Sequence, residues 1–551
     1  MLTNKSFLSS EAPATGGFCR TQRCWVVLLL SFFITSGPIL AGPADFNIDG
    51  VFEASLDLPR ILFLLKTPPP AGFAEPSVAG PNGPALEYMG NFEVNWAFLD
   101  TGASGILLSR EIIDYLQISI DPTAQYSDVG IGGIEFFDVS EPLYIGTASY
   151  DDPNPYDQEH YILSGPWRFQ AKQDYAGPWP DEPLDLLGMP VMFGKTIVLN
   201  SRGPSNLEIF SADIKEPNDP TIPEVDFTVP LRFEKYITPK DPCNIPPLPV
   251  LAYNPVIDNI TAEYNGNSFT GTWLLDTGAT MSLISVAQAA ALGLTDPDGN
   301  TLIGPDFIVP IGGIGGQVMV PGFEIDNLII PTLDGYNLVF NNARIGVRDI
   351  GIVDEVTGES IILDGIFGSN FFCATMNIST WELSDTAFDT IVIDMRNGLL
   401  GFDVNNAYPL PSCGDTQHPR PTADLTGDCK VNFLDLLALS ENWLRDDCNA
   451  GNAFCNAADI NKNGKTDLAD YTLLAEQWLN SPFSPACGHA QHPWPQGDLN
   501  RDCSLDLRDL RILAREWLNE CSWLNWNCSG ADLNSDKTVN FADYTKFING
   551  M

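Results

Sequence analysis

Basic residues are scarce in this chain. Lys and Arg number 28 against 71 Asp and Glu, which gives a formal net charge of −43 at pH 7. A surface of that sign repels nucleic acid and anionic membrane, so both are excluded as partners. Histidine is scarcer still, with four in 551 residues, and His160 is the only one ahead of Cys413. A Ser-His or Cys-His device in that stretch would hang on one ring beside Asp151, Asp152 and Tyr161. The nucleophile elbow G-x-S-x-G, the zinc motif H-E-x-x-H and the P-loop are all missing. Long apolar runs are missing too, beyond Trp25 to Ile34. That run follows Arg20 and Arg23 and precedes the small residues Ala41-Gly42-Pro43-Ala44, so residues 1–44 read as a signal peptide and the mature chain as exported, secreted or held at a cell surface. An uncleaved anchor is the alternative, for which the run is short.

What is present is ordinary globular composition, 44% hydrophobic and 11% aromatic, in a chain long enough for three or four domains. Cys19 and Cys24 leave with the leader, and the ten cysteines that remain in an exported chain favour disulfides. Residues 45–214 are rich in alternating apolar runs broken by Gly and Pro, such as Val94 to Leu99 and Ile197 to Asn200, and read as strands. A Pro-rich connector with some strand in it covers 215–249. Residues 250–406 repeat the first block in style, with Asn265-Gly266 as a hairpin turn.

The two blocks share landmarks in the same order. Asp100-Thr101-Gly102-Ala103 matches Asp276-Thr277-Gly278-Ala279, each after apolar residues. Ile131-Gly132-Gly133-Ile134 matches Ile311-Gly312-Gly313-Ile314, the latter continuing into Gly315-Gly316. Leu186-Leu187-Gly188 matches Ile366-Phe367-Gly368. Thr196 to Asn200 matches Thr390 to Asp394 as a closing strand. Asp100 lies 88 residues before Gly188, and Asp276 lies 92 before Gly368. The unit is duplicated.

Two carboxylates held together cannot both ionise cheaply, so they share a proton and titrate as a pair. The anionic member takes a proton from a water between them, while the protonated member polarises a peptide carbonyl. Thr supplies a hydroxyl that fixes the turn, and Gly allows the backbones to approach. Gly-Gly hairpins suit a flap that closes over substrate. This arrangement resembles the aspartic peptidases from about residue 46 to 405. The resemblance implies a mostly β, pseudo-twofold bilobal fold, with Asp100 and Asp276 catalytic. It also implies that Thr101 and Thr277 hydrogen-bond across the pair, with Gly102 and Gly278 in support. Ala after each Gly and the Gly-rich run 312–316 are similar to retropepsins, whereas the single-chain duplication is similar to pepsin. No Tyr sits in either Gly-Gly loop. Catalysis of this kind needs no cofactor, and the substrate implied is a peptide or protein.

From Cys413 the chain changes character, with acidic loops alternating with helix-like segments. Four loops place oxygen-bearing residues at positions 1, 3, 5, 9 and 12: Asp424, Thr426, Asp428, Asn432 and Asp435; Asp459, Asn461, Asn463, Asp467 and Asp470; Asp498, Asn500, Asp502, Asp506 and Asp509; Asp532, Asn534, Asp536, Asn540 and Asp543. Ca²⁺ takes six to eight hard oxygens, and this spacing wraps a loop around one ion. Main-chain carbonyls at position 7 (Lys430, Lys465, Ser504, Thr538) complete each set, giving up to four structural sites. Acidic helix caps without metal are the plainer reading of the same residues. The cysteines repeat at a higher level, Cys413, Cys429, Cys448 and Cys455 against Cys487, Cys503, Cys521 and Cys528, so the tail is two modules, 413–480 and 487–551. The repeat favours pairing within modules: Cys448 with Cys455, Cys521 with Cys528, Cys413 with Cys429, Cys487 with Cys503. Cys243 and Cys373 are candidates for a bridge in the second block, leaving few or no free thiols. The third loop, with four carboxylates, is expected to bind more tightly than the first.

These loops resemble dockerin type I repeats, which end in Asp where a typical EF-hand has Glu. The pattern departs at position 6, where only Gly464 keeps the glycine and Cys429, Cys503 and Lys537 replace it. It departs again at positions 10 and 11 (Phe433-Leu434, Leu468-Ala469, Leu507-Arg508, Phe541-Ala542), where dockerins carry a polar pair that meets cohesin. A cohesin-like or other cell-surface docking partner is implied. The sequence therefore points to an exported aspartic endopeptidase with a calcium-binding docking tail. Two rivals stay open: a peptide-binding protein that does not cut, and a component of a polysaccharide-degrading assembly.

Overall fold

The computed structural model describes residues 44–550 apart from 67–86, 89–90, 93, 174–183, 202–209, 235–252, 300, 354–359, 377–379, 381–382, 409, 411–413, 415–418, 479–486, 490–492 and 522–525. The expected leader, Cys243 and Cys413 fall outside the described residues, as does most of the connector beyond Glu234. The chain divides into two compact units, Pro419–Pro482 and the larger Pro43–His418 together with Phe483–Met551. The architecture is mostly β, with a small helical C-terminal region.

In the larger unit, the first half contributes β1 (Ala44–Asp49), β2 (Arg60–Lys66), β3 (Asn95–Leu99), α1 (Arg110–Tyr115), β4 (Ile120–Gly130), β5 (Gly133–Ser140), β6 (Leu186–Leu187), β7 (Thr196–Asn200) and β8 (Ser211–Lys215). A connecting strand, β9 (Phe227–Pro230), precedes the second half. That half contributes β10 (Asn254–Tyr264), β11 (Asn267–Asp276), α2 (Val286–Ala291), β12 (Phe307–Gly313), β13 (Gly316–Pro331), β14 (Tyr336–Val347), β15 (Gly365–Gly368), β16 (Phe388–Asp394) and β17 (Leu399–Val404). The duplication read from the landmarks recurs in the pairing. β6 runs parallel to β3, with Leu187 opposite Leu99, and β15 runs parallel to β11, with Phe367 opposite Leu275. Nine residues after each motif aspartate, a serine caps the next helix. Ser109 accepts from Ile112 N–H and Ser285 from Gln288 N–H, satisfying donors that a helix start leaves orphaned.

The two closing strands meet. β7 and β16 pair antiparallel with Val198 opposite Val392 at the centre, Thr196 opposite Asp394 and Asn200 opposite Thr390. β8 extends this sheet on one side and β17 and β9 on the other. Asn265 and Gly266 make the hairpin turn expected of them, both at positive φ (49° and 79°), between Tyr264 and Asn267. Large side chains such as Trp273, Phe340, Phe367 and Phe388 are buried to within 2%. Each such burial stabilises by about 1.5–3 kcal/mol. The opening strand departs from a self-contained first half. β1 lies parallel to β14, Ala44 opposite Tyr336 through Asp49 opposite Asn341. Its apolar residues find cover there, since Phe46 packs on Phe227 and the following Phe52 on Phe340 and Phe371.

In the tail, α3 (Phe433–Glu441), α4 (Leu468–Glu476), α5 (Leu507–Arg515) and α6 (Phe541–Gly550) each follow an acidic loop. Cys448–Cys455, Cys487–Cys503 and Cys521–Cys528 are disulfides, and Cys429 is disulfide-bonded as well. The expected Cys243–Cys373 bridge is corrected. Cys373 is a free, buried thiol, and burial pushes its pKa up to about 12, so it packs as a small apolar group. No helix among the described residues is long and apolar enough to cross a membrane.

Candidate active site and metal loops

Asp100 and Asp276 lie at the ends of β3 and β11, and the flanking threonines lock the two turns to each other. Thr101 N–H donates to Thr277 Oγ1 and Thr277 N–H to Thr101 Oγ1, both at 3.1 Å. Each hydroxyl in turn donates to the opposite strand, Thr101 to Leu275 O (2.6 Å) and Thr277 to Leu99 O (2.7 Å). Both threonines are fully buried, so this ring of four hydrogen bonds is shielded from water. Gly102 and Gly278 are required by proximity. A Cβ on Gly102 would lie 2.6 Å from the Asp276 carboxyl carbon, and one on Gly278 would lie 2.4 Å from that of Asp100. Each aspartate therefore rests against the other half's glycine.

The two carboxyls are not equivalent. Asp100 Oδ1 accepts from Gly102 N–H (2.8 Å) and Ala103 N–H (3.1 Å). Burial raises its pKa, while a hydrogen bond from Asp276 and these amides pull the other way. Asp276 is raised well above the carboxylate range, by burial first and then by the charge of Asp100. Burial thus holds both carboxyls above the ordinary carboxylate range, and the pair titrates as a unit. Behind them, Gly188 and Gly368 let β6 and β15 approach, since a Cβ would sit 2.3 Å from Ala103 O and 2.8 Å from Ala279 O.

The Gly-Gly hairpins come together tip to tip. β4 and β5 turn at Ile131-Gly132, β12 and β13 at Ile314-Gly315. Gly132 N–H donates to Ile314 O at 3.0 Å, and Gly315 N–H to the Glu135 carboxylate at 3.1 Å. A Cβ on Gly132 would lie 2.3 Å from the Gly315 carbonyl carbon. Gly133, Gly315 and Gly316 have positive φ (123°, 82° and 104°), and Gly312 and Gly313 pair with Gln317 and Gly316 in the second hairpin. Arg348 donates to Ile131 O at 3.0 Å, holding the first tip from the second half.

Three supporting residues carry no signature in the sequence. Asn254, at the start of β10, donates to Thr101 O and Gly102 O, both at 3.0 Å, and accepts from Ser104. Ser369 donates to Thr277 O at 2.9 Å. Glu135 bridges the flaps and pairs with Lys172 at 2.9 Å. A search for equivalent residues in the two halves would miss Asn254, because it serves only one of them. His160 sits on the surface beside Asp152, 2.8 Å from it, remote in role from the pair.

The tail loops share one geometry. Position 6 takes positive φ whatever the residue: Cys429 66°, Gly464 93°, Cys503 65°, Lys537 72°. Position 9 caps the following helix and position 12 completes the capping box, as with Asn432 and Asp435. The first-position aspartate accepts from the position 6 amide, Asp424 from Cys429 N–H (2.9 Å) and Asp498 from Cys503 N–H (2.8 Å). Asp435, Asp470, Asp509 and Asp543 are fully buried. Carboxylate oxygens of Asp424, Asp428 and Asp435 lie within 4.8 Å of one another, as do those of Asp532, Asp536 and Asp543. Three converging carboxylates, buried in part, fit a divalent cation with hard-oxygen preference, and Ca²⁺ would be held by these groups and the position 7 carbonyls. In the third loop, Arg508 donates to Asp502 at 2.7 Å.

The family model of the Dockerin type I domain matches residues 422–478. No curated protein matches. Among solved structures, the crystal structure of Basic 7S globulin from soybean is similar over 65% of this chain and 100% of that chain, at 9% identity and a TM-score of 0.32, a likeness too low to bear on fold or function. With two acidic loops, each feeding a capped helix, residues 422–478 are a dockerin type I domain.

Proposed function

We propose that residues 45–406 form a two-lobed aspartic endopeptidase, exported and carried by a dockerin tail that docks it to a cohesin-like partner in an extracellular assembly. The observation that carries the catalytic reading is the reciprocal grip of Thr101 and Thr277, with each carboxyl against the opposite glycine. In the mechanism, a water lies between the carboxyls and a peptide carbonyl lies above them. Asp100 takes one proton of the water as its oxygen bonds to the carbonyl carbon, while Asp276 gives its proton to the carbonyl oxygen. The resulting gem-diol collapses with the proton on Asp100 passing to the departing nitrogen and the C–N bond breaking, and one diol proton returns to Asp276. The flap tips, joined at Gly132 and Ile314, must part to admit a chain and then close over it.

The docking reading rests on the dockerin domain at 422–478. It also supports recruitment to an assembly that degrades polysaccharide, in which a peptidase would trim or process neighbours. Digestion of a peptide library by the full chain and by Asp276→Asn tests the catalytic claim. Cleavage by the wild type alone is the expected result. Binding of peptides without cleavage by either would replace the enzyme with a peptide-binding protein.

A further inference from the structure

The second calcium module shares its compact unit with the two halves, and two of its parts reach the same neighbourhood. Arg501, at position 4 of the third loop, donates from Nη1 to Gly398 O at 3.1 Å and to Leu231 O at 3.3 Å. Gly398 lies in the turn between β16 and β17, and its carbonyl also accepts from Leu231 N–H, just beyond β9. His489 lies 3.4 Å from Asp334, whose other oxygen accepts from Thr228 N–H in β9. Both contacts fall on or beside the sheet that joins the two halves, not on the Gly-Gly hairpins.

Arg501 is built into this position from both sides. Its φ is +59°, in a loop whose carboxylate Asp498 fixes the amides of Asp502 and Cys503. Its guanidinium stacks 4.5 Å over the Trp494 ring of its own module. On the facing side, a Cβ on Gly398 would lie 2.5 Å from Nη1, so glycine there makes the approach possible. The other three loops carry Gly427, Lys462 and Ser535 at this position, also at positive φ (81°, 56° and 61°), so the loop conformation is common but the anchor is particular to the third.

We propose that the second module, residues 487–551, is an internal brace: its binding partner is the chain's own interlobe sheet, anchored by Arg501 on Gly398 and Leu231. Because Arg501 stands inside a calcium loop, metal in that loop fixes the anchor, and its loss loosens the brace. One docking module is thereby spent within the molecule.

The test uses the full chain with a protease recognition sequence inserted between Pro482 and Phe483, cut after purification in Ca²⁺. Cutting turns a tethered contact into a bimolecular one, so only a real interface holds the pieces together. Residues 483–551 are expected to co-elute with the remainder at micromolar concentration. Arg501→Ala should weaken this retention at least ten-fold, and excess EDTA should release the fragment. Should Arg501→Ala disturb the module itself, His489→Ala, which removes the contact to Asp334, gives the reading from a second place. Separation of the wild-type fragment in Ca²⁺, or equal retention in wild type and both variants, would overturn the brace. Peptide cleavage enters none of these readouts, so the outcome is independent of the proposed activity.

Discussion

Asp100 and Asp276 in the lobes, and Asp424, Asp428 and Asp435 in the first tail loop, are both clusters of carboxylates drawn together by the fold. They relieve the repulsion in different ways. In the larger unit, two carboxyls face each other, and burial raises both pKa values. In the tail, three carboxylates converge within 4.8 Å around a space that fits a cation. The difference lies in what surrounds them. The pair is backed by buried threonines and by glycines against which each carboxyl rests, whereas the loop wraps oxygen after oxygen about one point. On the proposed function, the same residue type serves as acid–base machinery in one place and as a cation's ligands in the other.

The comparison breaks most visibly at the pair. Asp100→Asn or Asp276→Asn should lower peptide cleavage more than 100-fold, because neither carboxyl alone can both activate water and protonate the carbonyl. Residual cleavage above about 1% in either variant would remove the shared-proton mechanism. Next in size is the glycine contact. Gly102→Ala or Gly278→Ala pushes a methyl into the opposite carboxyl and should cost on the order of 100-fold in kcat/KM, measured beside circular dichroism to show that the fold persists.

Metal removal is the counterpart in the tail. Titration of the full chain with Ca²⁺ should stabilise residues 413–551 by about 2.7 kcal/mol at a free concentration 100 times the Kd, read as hydrogen-exchange protection of α3 and α6. Protection that does not change with Ca²⁺ would leave the loops as helix caps alone.

A smaller effect sharpens the sign of the proton reading. Both pair members have folded pKa values above their unfolded ones. Their contribution to stability is therefore complete below the ordinary carboxylate pKa and is lost as pH rises through the folded values. Asp276→Asn, which needs no proton to stay neutral, should flatten this loss, so its melting temperature should gain on the wild type between acid and neutral pH. A constant difference across that range would count against a raised Asp276. The smallest expected change is at the third loop. Arg508→Ala frees Asp502 and should tighten Ca²⁺ there a few-fold by calorimetry.

Much of the site was legible because its chemistry is local. The Asp-Thr-Gly turns, the Gly-Gly hairpins and the apolar-apolar-Gly strands announce themselves as short strings, and their order in two halves shows duplication. Oxygen spacing in the tail is likewise a property of one twelve-residue loop. Asn254 and Ser369 were not legible, since each acts on a turn distant in sequence and neither recurs in the other half. Cys373 read as a bridge candidate because the number of cysteines says nothing of the desolvated pocket that keeps it a thiol.

By itself the sequence determined the duplicated strand-rich unit, the paired aspartates, and the acidic loops that cap the following helix. These depend on residue types a few positions apart, where local geometry limits the outcomes. Only the tertiary structure decided that burial raises both carboxyls of the pair, that β1 pairs with the far half, and that the Gly-Gly hairpin tips meet. It alone placed Arg501 of the tail on the sheet between the lobes. Those outcomes turn on desolvation and on contacts across more than a hundred residues, and no spacing along the chain encodes them.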